Sequence, residues 1–385
     1  MPFEFNEAQE MFRKEARNFA QKEIAPGAKE RAKQEDLTPE AIRVMKKMAD
    51  NGYTGINIPE EYGGQPGDWV TLAIAVEELS RAEFSAGGAP LSGQIPYGLF
   101  ADREDLRKEW VPKSIMGEKR LCFCVTEPDA GSDVTGMKMK ATKDGDYWVL
   151  NGEKTSVSMG MFADAAFVFA KTDPTAGFKG VTSFLVPMDL PGITKSHFAD
   201  MGCINYGRAS IIFDDVRVPA ENVIGEEGKG FYRIMQGFDY YRVVLSLQCL
   251  GAAGQSLDEA IEYAKMRIAF GKQIGRFQGI SFKLAEDAAL LEAGRLLCYR
   301  AMWLRDKGER HSKETAMCKL LCPDWCWHII NDCMITFGHA AYSEEYPLEQ
   351  RLRDVLGYQI ADGTPEIQKL VISRELFNRE VVPGF

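Results

Sequence analysis

A short turn at Thr126–Asp133, with the sequence TEPDAGSD, holds the first residues of this chain that suit ligand binding. Pro128 and Gly131 favour a tight turn, whose backbone N–H groups stay free to meet an anion or the polar edge of a ring. Thr126 and Ser132 add hydroxyl groups that donate or accept hydrogen bonds. The same composition also suits an ordinary loop, so the turn alone leaves both interpretations open.

Three cysteines at helical spacing form a second candidate cluster. Cys318, Cys322 and Cys326 lie four residues apart, which places their thiols on one face of a helix, with His328 close by. Pro323 is expected to disturb that helix, and no second ligand cluster stands at zinc or iron–sulfur spacing. Because Cys commonly behaves as a small buried hydrophobe, we expect core packing here and no metal.

The composition indicates a soluble globular protein. The 385 residues are 45% hydrophobic and 26% charged, with a formal net charge of −10. No run of Lys and Arg offsets this acidic balance, which argues against a nucleic-acid partner. No window reaches the roughly 18 uncharged apolar residues of a membrane span, and residues 1–30 lack the apolar core of a signal peptide. Nine scattered cysteines favour reduced thiols and a cytoplasmic location.

Hydrophobic periodicity divides the chain into a helical, a β and a second helical region. Helical spacing covers about residues 5–114, and short β-branched and aromatic runs follow over about 121–224. Asn151-Gly152 is expected to form a hairpin turn among those strands. The last region predicts four long helices that pack as a bundle. They lie near Phe231–Arg267, Phe277–Asp306, Ser312–Phe337 and Glu366–Leu376. This order predicts an α+β fold with an α-helical domain at 1–117, a β domain at 118–228 and a helical bundle domain at 229–385.

Five separated segments resemble the acyl-CoA dehydrogenase family, in order and along essentially the whole chain. They are CFCVTEPDAGSDVTG from Cys122, VLNGEKTSVS from Val149, RIAFGKQIGRFQGISFKLA from Arg267, EYPLEQRLRD from Glu345 and IADGTPEIQKLVISREL from Ile360. The resemblance implies the fold of that family, with an N-terminal helical domain, a central β-barrel or sandwich and a C-terminal four-helix bundle. It also implies a flavoprotein oxidoreductase that acts on acyl-CoA thioesters.

The resemblance implies FAD between the β domain and the bundle. Ser158 stands where the family usually has a Thr that reaches the flavin ring, and its hydroxyl can do the same. Ser156 stands where a Trp is usual, so a large stacking surface is missing. The implied cofactor-binding residues are Phe123, Val125, Thr126, Gly131, Ser132, Ser156, Ser158, Arg267, Phe270, Gln278, Thr364 and Glu366.

The resemblance also implies protein partners. Arg267, Phe270 and Gln278 match positions that contact the adenosine diphosphate half of FAD in a neighbouring subunit. A shared site implies a homotetramer, or at least a dimer. Reduced flavin must be reoxidised, which in this family implies an electron-transfer flavoprotein or a similar electron acceptor.

The implied base is Asp362, in the run Ala361-Asp362-Gly363-Thr364, where the family usually has Tyr-Glu-Gly-Thr. A second branch of the family carries its Glu on an earlier helix, at the position that Tyr241 fills here, so Asp362 is the expected base. An acid that caps or solvates the loop is the alternative. Glu366 and Asp354 suit a first-turn acid and a charge on a helix surface. The implied substrate contacts are Ser132, Asp239, Arg242 and Gly363, with a structural salt bridge as the alternative for Asp239 and Arg242.

The substitutions around the base predict a bulky acyl group. Asp is shorter than Glu by one methylene, so its oxygens fall back by about 1.5 Å. Ala361 replaces a large Tyr on the same side and widens the pocket. A cyclic acyl group, as in cyclohexanecarboxyl-CoA and alicyclic acid metabolism, fits this combination. The alternatives are a short or branched aliphatic substrate, an oxidase or elimination reaction, and a non-catalytic binding role.

Overall fold

The N-terminal region is helical, as predicted. The computed structural model describes residues 4–378 and 380–382, apart from the side chain of Gln236. Asn6 and Gln9 form a reciprocal capping box at the start of the first helix, and Asp68 caps the fourth by accepting from the Thr71 N–H at 2.6 Å. The helices are α1 Glu7–Phe19, α2 Ala28–Arg31, α3 Pro39–Asp50, α4 Trp69–Ala82, α5 Leu91–Leu99 and α6 Glu104–Ile115. A π-helical turn, Ala20–Ile24, extends α1.

The middle region is one eight-stranded sheet. The strands are β1 Leu121–Cys124, β2 Lys140–Asp144, β3 Tyr147–Val157, β4 Ala165–Lys171, β5 Val181–Pro187, β6 Ile193–His197, β7 Ala209–Pro219 and β8 Val223–Ile224. Their order is β6-β7-β3-β2-β4-β5-β8, and β1 pairs in parallel with β4. This parallel pair places the end of β1, and the turn that follows it, at the edge of the domain.

The predicted hairpin at Asn151-Gly152 is wrong. Strand β3 continues through both residues, with an irregularity in its pairing to β7 at this point. Gly152 has a φ of +148°, and a Cβ there would lie 2.9 Å from the Cα of Met139. Gly152 therefore serves a close backbone approach. The turn lies instead at Gly145-Asp146, between the paired Asp144 and Tyr147.

The C-terminal region is a helical bundle built around two long helices. The elements are α7 Gly230–Met266, β9 Ile268–Ala269, β10 Lys272–Gln273, α8 Gln278–Asp306, α9 Ser312–Phe337, α10 His339–Tyr342, α11 Leu348–Ile360 and α12 Pro365–Phe377. The four predicted helices are present, and α10 and α11 are additional ones. Helix α9 continues through Pro323, contrary to the expected disturbance. Cys318, Cys322 and Cys326 are fully buried in the core shared by α4 and α7, which confirms core packing.

These regions confirm the α+β architecture with helical, β and helical parts. We propose the domain boundaries 117/118 and 228/229; residues 1 and 385, the outer limits of the predicted domains, lie outside the described residues. Within the described part of the chain, no helix combines the length and apolarity needed to cross a bilayer.

Candidate active site

Hydrogen bonds from strand β3 hold the turn after β1. The Lys154 ammonium donates to the Val125 carbonyl at 3.0 Å and to the Glu127 carboxylate at 2.8 Å. The Thr155 N–H donates to the Thr126 carbonyl at 2.9 Å. Lys154 and Glu127 are buried, so they form a desolvated ion pair whose removal would leave one charge unpaired. The structure therefore joins two separate sequence motifs, TEPDAGSD and NGEKTSVS, at one edge of the sheet.

This edge presents free polar groups. Among the described residues, the backbone N–H groups of Thr126, Gly131 and Ser132 donate to no protein acceptor. A Cβ at Gly131 would meet no atom within 4 Å, so open space adjoins the turn. Ser156 and Ser158 are exposed, and Ser156 has a left-handed backbone, with φ +57°, at a break in the β3–β7 register. Free donors beside open space fit a ligand rich in acceptors, as the flavin is.

Phe123 connects this edge to helix α7. Its ring meets Tyr241 edge-to-face at a centroid distance of 5.8 Å and packs on Phe167 of β4 at 5.4 Å. Burial raises the pKa of the Tyr241 hydroxyl well above its ordinary value, and the nearby Asp362 carboxylate adds to this rise. The flavin motif and the candidate base thus face one interface between the β domain and the bundle.

The candidate base lies in a turn between α11 and α12 that several buried donors hold. Asp362 and Gly363 both have left-handed backbones, with φ of +53° and +102°. Arg242 Nε donates to the Asp362 carbonyl at 3.0 Å, and Lys319 Nζ donates to the Gly363 carbonyl at 3.2 Å. Gln368 Nε2 donates to the same Gly363 carbonyl at 2.9 Å. A non-glycine residue with positive φ costs energy, and these bonds stabilise it.

The electrostatics of this turn suit a base. Burial raises the pKa of Asp362 above its ordinary value, as a proton acceptor of the α-proton requires. The cations Lys319, Arg242 and Arg208 act against that rise. Burial in turn lowers the pKa of Lys319 to about 8, and Asp362 is the strongest influence that opposes this. Carboxylate and ammonium therefore stabilise each other's charged forms.

The other predicted site residues on α7 and around the start of α12 lie in different environments. Asp239 accepts from the Ser312 hydroxyl at 3.2 Å, and its carbonyl accepts from Thr315 at 2.9 Å, so it ties α7 to α9. Arg242 engages the base turn, as described above. Thr364 precedes α12, and within the described residues its side chain does not cap the helix. Glu366 is exposed in the first turn of α12, as expected for a first-turn acid, and pairs with Lys369 at 3.6 Å.

Arg267, Phe270 and Gln278 do not join this site within one chain. Arg267 follows the end of α7, and the 25 residues that separate it from Arg242 span about 37 Å of helix. Phe270, at the tip of the β9–β10 hairpin, is 95% exposed and has a φ of +49°. Gln278 begins α8. An aromatic ring so fully exposed on a hairpin is typical of a surface that another molecule covers.

Sequence reasoning missed two buried lysines and misplaced one acid. Lys154 has the strand parity of the buried Trp148 and Leu150, so β3 alternation could have found it. Lys319 lies on the same buried face of α9 as Cys322 and Cys326, at helical spacing. Asp354 is 4% exposed, so its prediction as a surface charge is wrong; its carboxylate accepts from the Cys203 N–H at 2.6 Å.

Family models and individual relatives point to the same protein family. Family models described as acyl-CoA dehydrogenase N-terminal, middle and C-terminal domains match residues 6–118, 122–216 and 228–377. A 3-(aryl)acrylate reductase of Clostridium sporogenes is 38% identical over 97% of this chain and 99% of its own length. The caffeyl-CoA reductase-Etf complex subunit CarC of Acetobacterium woodii is 36% identical over 97% and 100%.

A solved structure extends the likeness to three dimensions. Butyryl-CoA dehydrogenase from Megasphaera elsdenii superposes with a TM-score of 0.91 at 34% identity, covering 98% of this chain and 100% of its own. Together with the joined motifs and the half-buried Asp362, these matches show that the chain belongs to the acyl-CoA dehydrogenase family, whose members are FAD-dependent oxidoreductases acting on the CH–CH bond of acyl-CoA thioesters.

Proposed function

We propose that Asp362 is the base of this acyl-CoA dehydrogenase. The observation that carries the proposal is the half-buried Asp362, whose strained turn is held by Arg242 and Lys319. Its raised pKa favours proton transfer from a carbon acid. Tyr241 fills the alternative base position of the family and has no basic function at neutral pH, because burial holds its pKa well above the usual range.

The chain's own residues account for the proton half of the reaction. The Asp362 carboxylate takes the α-proton of the thioester, and the electrons of that C–H bond form the new α,β double bond as hydride leaves the β-carbon. When bound, FAD supplies the flavin N5 that accepts this hydride. The Phe123 ring packs edge-to-face on the buried Tyr241, so apolar surface adjoins the base.

The residues present fit FAD. We propose that Thr126, Gly131 and Ser132 would bind flavin acceptors through their free N–H groups, and that Ser156 and Ser158 would add hydroxyl contacts. Phe123 in β1 and Val125 just after it would provide apolar contacts to the flavin. The exposed Arg267, Phe270 and Gln278, with Thr364 and Glu366 near the turn, would then contact FAD shared with a second copy of the chain. This sharing supports a homotetramer, or at least a dimer.

We propose a ring-bearing acyl group, such as cyclohexanecarboxyl, as the substrate. The short Asp362 side chain and the adjacent small Ala361 leave more room beside the α-carbon than Glu and Tyr would. The test compares kcat/KM for cyclohexanecarboxyl-CoA and butyryl-CoA in wild type and in Asp362→Glu. Wild type should prefer the ring, and the longer carboxylate should shift preference towards butyryl-CoA. Full-rate turnover of butyryl-CoA with an inert ring thioester would reject the ring and return the enzyme to short aliphatic substrates.

A second candidate is the reverse reaction, reduction of a 3-aryl-acryloyl thioester. Two relatives that match nearly the whole chain are named as reductases, one of 3-(aryl)acrylate and one of caffeyl-CoA. Protonated Asp362 would then return the proton to the α-carbon. Cinnamoyl-CoA offered to the chemically reduced enzyme tests this: reoxidation of the flavin by cinnamoyl-CoA, together with no bleaching by saturated thioesters, would favour the reductase.

The partner and location follow as proposals. The printed name of the caffeyl-CoA reductase relative places that protein in a complex with Etf, which supports an electron-transfer flavoprotein as partner here. All nine cysteines are buried and unbridged, which supports a reducing, cytoplasmic location. Sedimentation with and without an electron-transfer flavoprotein tests both assembly and partner.

A further inference from the structure

The turn that carries Asp362 depends on donors that come from three different helices. Arg242 reaches it from α7, Lys319 from α9 and Gln368 from α12. A Cβ at Gly363 would lie 2.6 Å from Gln368 Nε2, so the turn fits tightly against these donors. Among the described residues, the hydrogen bonds that hold these two successive left-handed residues all go to their carbonyls, and loss of one donor would let the carboxylate move.

Lys319 is the least expected of these donors. Its side chain is 2% exposed, in a helix face otherwise formed by Cys322, Cys326 and other apolar groups. A buried ammonium is costly unless it is paired and hydrogen-bonded. Within the described part of the chain it makes one hydrogen bond, to the Gly363 carbonyl at 3.2 Å, and has one nearby carboxylate, Asp362. A neutral amide side chain would pack in the same space, so packing does not explain why this residue carries a charge. We therefore look for a function of the charge.

We propose that Lys319 is a positioning residue for the base: its hydrogen bond to Gly363 fixes the Asp362 turn, and its positive charge keeps the Asp362 carboxylate ionised. This inference rests on the proposed function of Asp362. The charged or titratable groups around Asp362 are Lys319 from α9, Arg242 and Tyr241 from α7, and Arg208 before β7. Around Lys319 they are Asp362, Cys249 and Arg242.

Two variants separate the hydrogen bond from the charge. Lys319→Gln keeps a donor without charge, and Lys319→Met removes both. Both should shift the acid limb of the kcat/KM pH profile upwards by about one pH unit or more, because a cation near a carboxylate lowers its pKa by that amount. Only Lys319→Met should also lower kcat, by about 10- to 100-fold, because a displacement near 1 Å can cost that much. KM should change little in either variant.

The assay uses purified holoenzyme, with cyclohexanecarboxyl-CoA and butyryl-CoA as substrates and the ferrocenium ion as acceptor. Lys46→Met is the matched control, since Lys46 is exposed on α3 and pairs with Asp50. FAD content and thermal midpoint are recorded for each variant, since a purely structural lysine would alter these and leave the pH profile in place.

The outcomes separate this inference from the base assignment. A Lys319→Gln enzyme with full FAD and an unshifted acid limb would overturn the inference, even if Lys319→Met fails to fold. Full activity in Asp362→Asn would overturn the base assignment and the inference with it. An inactive Asp362→Asn beside Lys319 variants with wild-type kcat and pH profile would overturn the inference alone.

Discussion

Replacing Asp354 by Asn is expected to stabilise the protein at alkaline pH and not at acid pH. Asp354 is 4% exposed, and burial raises its pKa to about 6. Its carboxylate accepts from the Cys203 N–H at 2.6 Å and from Gln350 Nε2 at 3.4 Å, while Gln350 Oε1 is buried without a partner in the described structure. A protonated Asp354, or an Asn, can keep the first bond and donate to Gln350 Oε1 once that amide turns over. The charged form is therefore the costly one.

The magnitude follows from proton linkage. Because the folded pKa lies above the unfolded one, this group's stabilising contribution is complete below the unfolded value near 4 and is lost as pH rises through about 6. A shift of about two units is worth about 3 kcal/mol in total, of which about 1.4 kcal/mol is lost between pH 5 and pH 8. Asn does not titrate, so the free energy of unfolding of Asp354→Asn, relative to that of wild type, should rise by about 1.4 kcal/mol between pH 5 and pH 8.

Urea unfolding of the holoenzyme, followed by far-UV circular dichroism, measures this gain. The midpoint of Asp354→Asn should exceed that of wild type more at pH 8 than at pH 5. Asp214→Asn is the control, because Asp214 is exposed on β7. An equal change in midpoint at both pH values would refute the reasoning, since the effect would then come from packing rather than from charge.

Two further perturbations test the site and the assembly. Lys154→Met leaves the buried Glu127 carboxylate, in the turn after β1, without its ion-pair partner, so it should cost about 3 to 5 kcal/mol of stability and release FAD. Urea unfolding and the flavin absorbance of the purified variant check this, and a yellow variant of wild-type stability would contradict it. Phe270→Ala removes a ring that is 95% exposed, so the thermal midpoint of the single chain should hardly change while association weakens. Sedimentation velocity measures the second effect, and an unchanged oligomer would exclude Phe270 from the subunit interface.

Helical periodicity predicted the bundle well because its elements are long. The predicted Ser312–Phe337 coincides with α9, and the predicted Phe231–Arg267 differs from α7 by one residue at each end. Local turn chemistry was less reliable: Gly152 has its special backbone because Met139 approaches it, which only the folded sheet reveals. Asn-Gly forms a hairpin turn only where pairing with a neighbouring strand does not require a different backbone conformation.

The chemistry of the site was only partly visible in the sequence. Resemblance to the family singled out Asp362. Its turn, however, is held by donors from three helices that bond to the backbone carbonyls of the turn, and no local sequence pattern predicts these contacts. Asp354 was misjudged because its partner, the Cys203 N–H, lies 151 residues away. Lys319 stood on an apolar helix face, and a lysine in that position signals a buried partner that the sequence cannot name.

The most direct test of the account is the rate of anaerobic flavin bleaching in Asp362→Asn. Wild type, Asp362→Asn and the Asp214→Asn control are mixed with saturating cyclohexanecarboxyl-CoA in a stopped-flow instrument, and butyryl-CoA is run in parallel. Loss of a general base should slow bleaching in Asp362→Asn by about 100-fold or more, while the control keeps the wild-type rate. Bleaching of Asp362→Asn, loaded with FAD, at the wild-type rate would show that another group takes the proton.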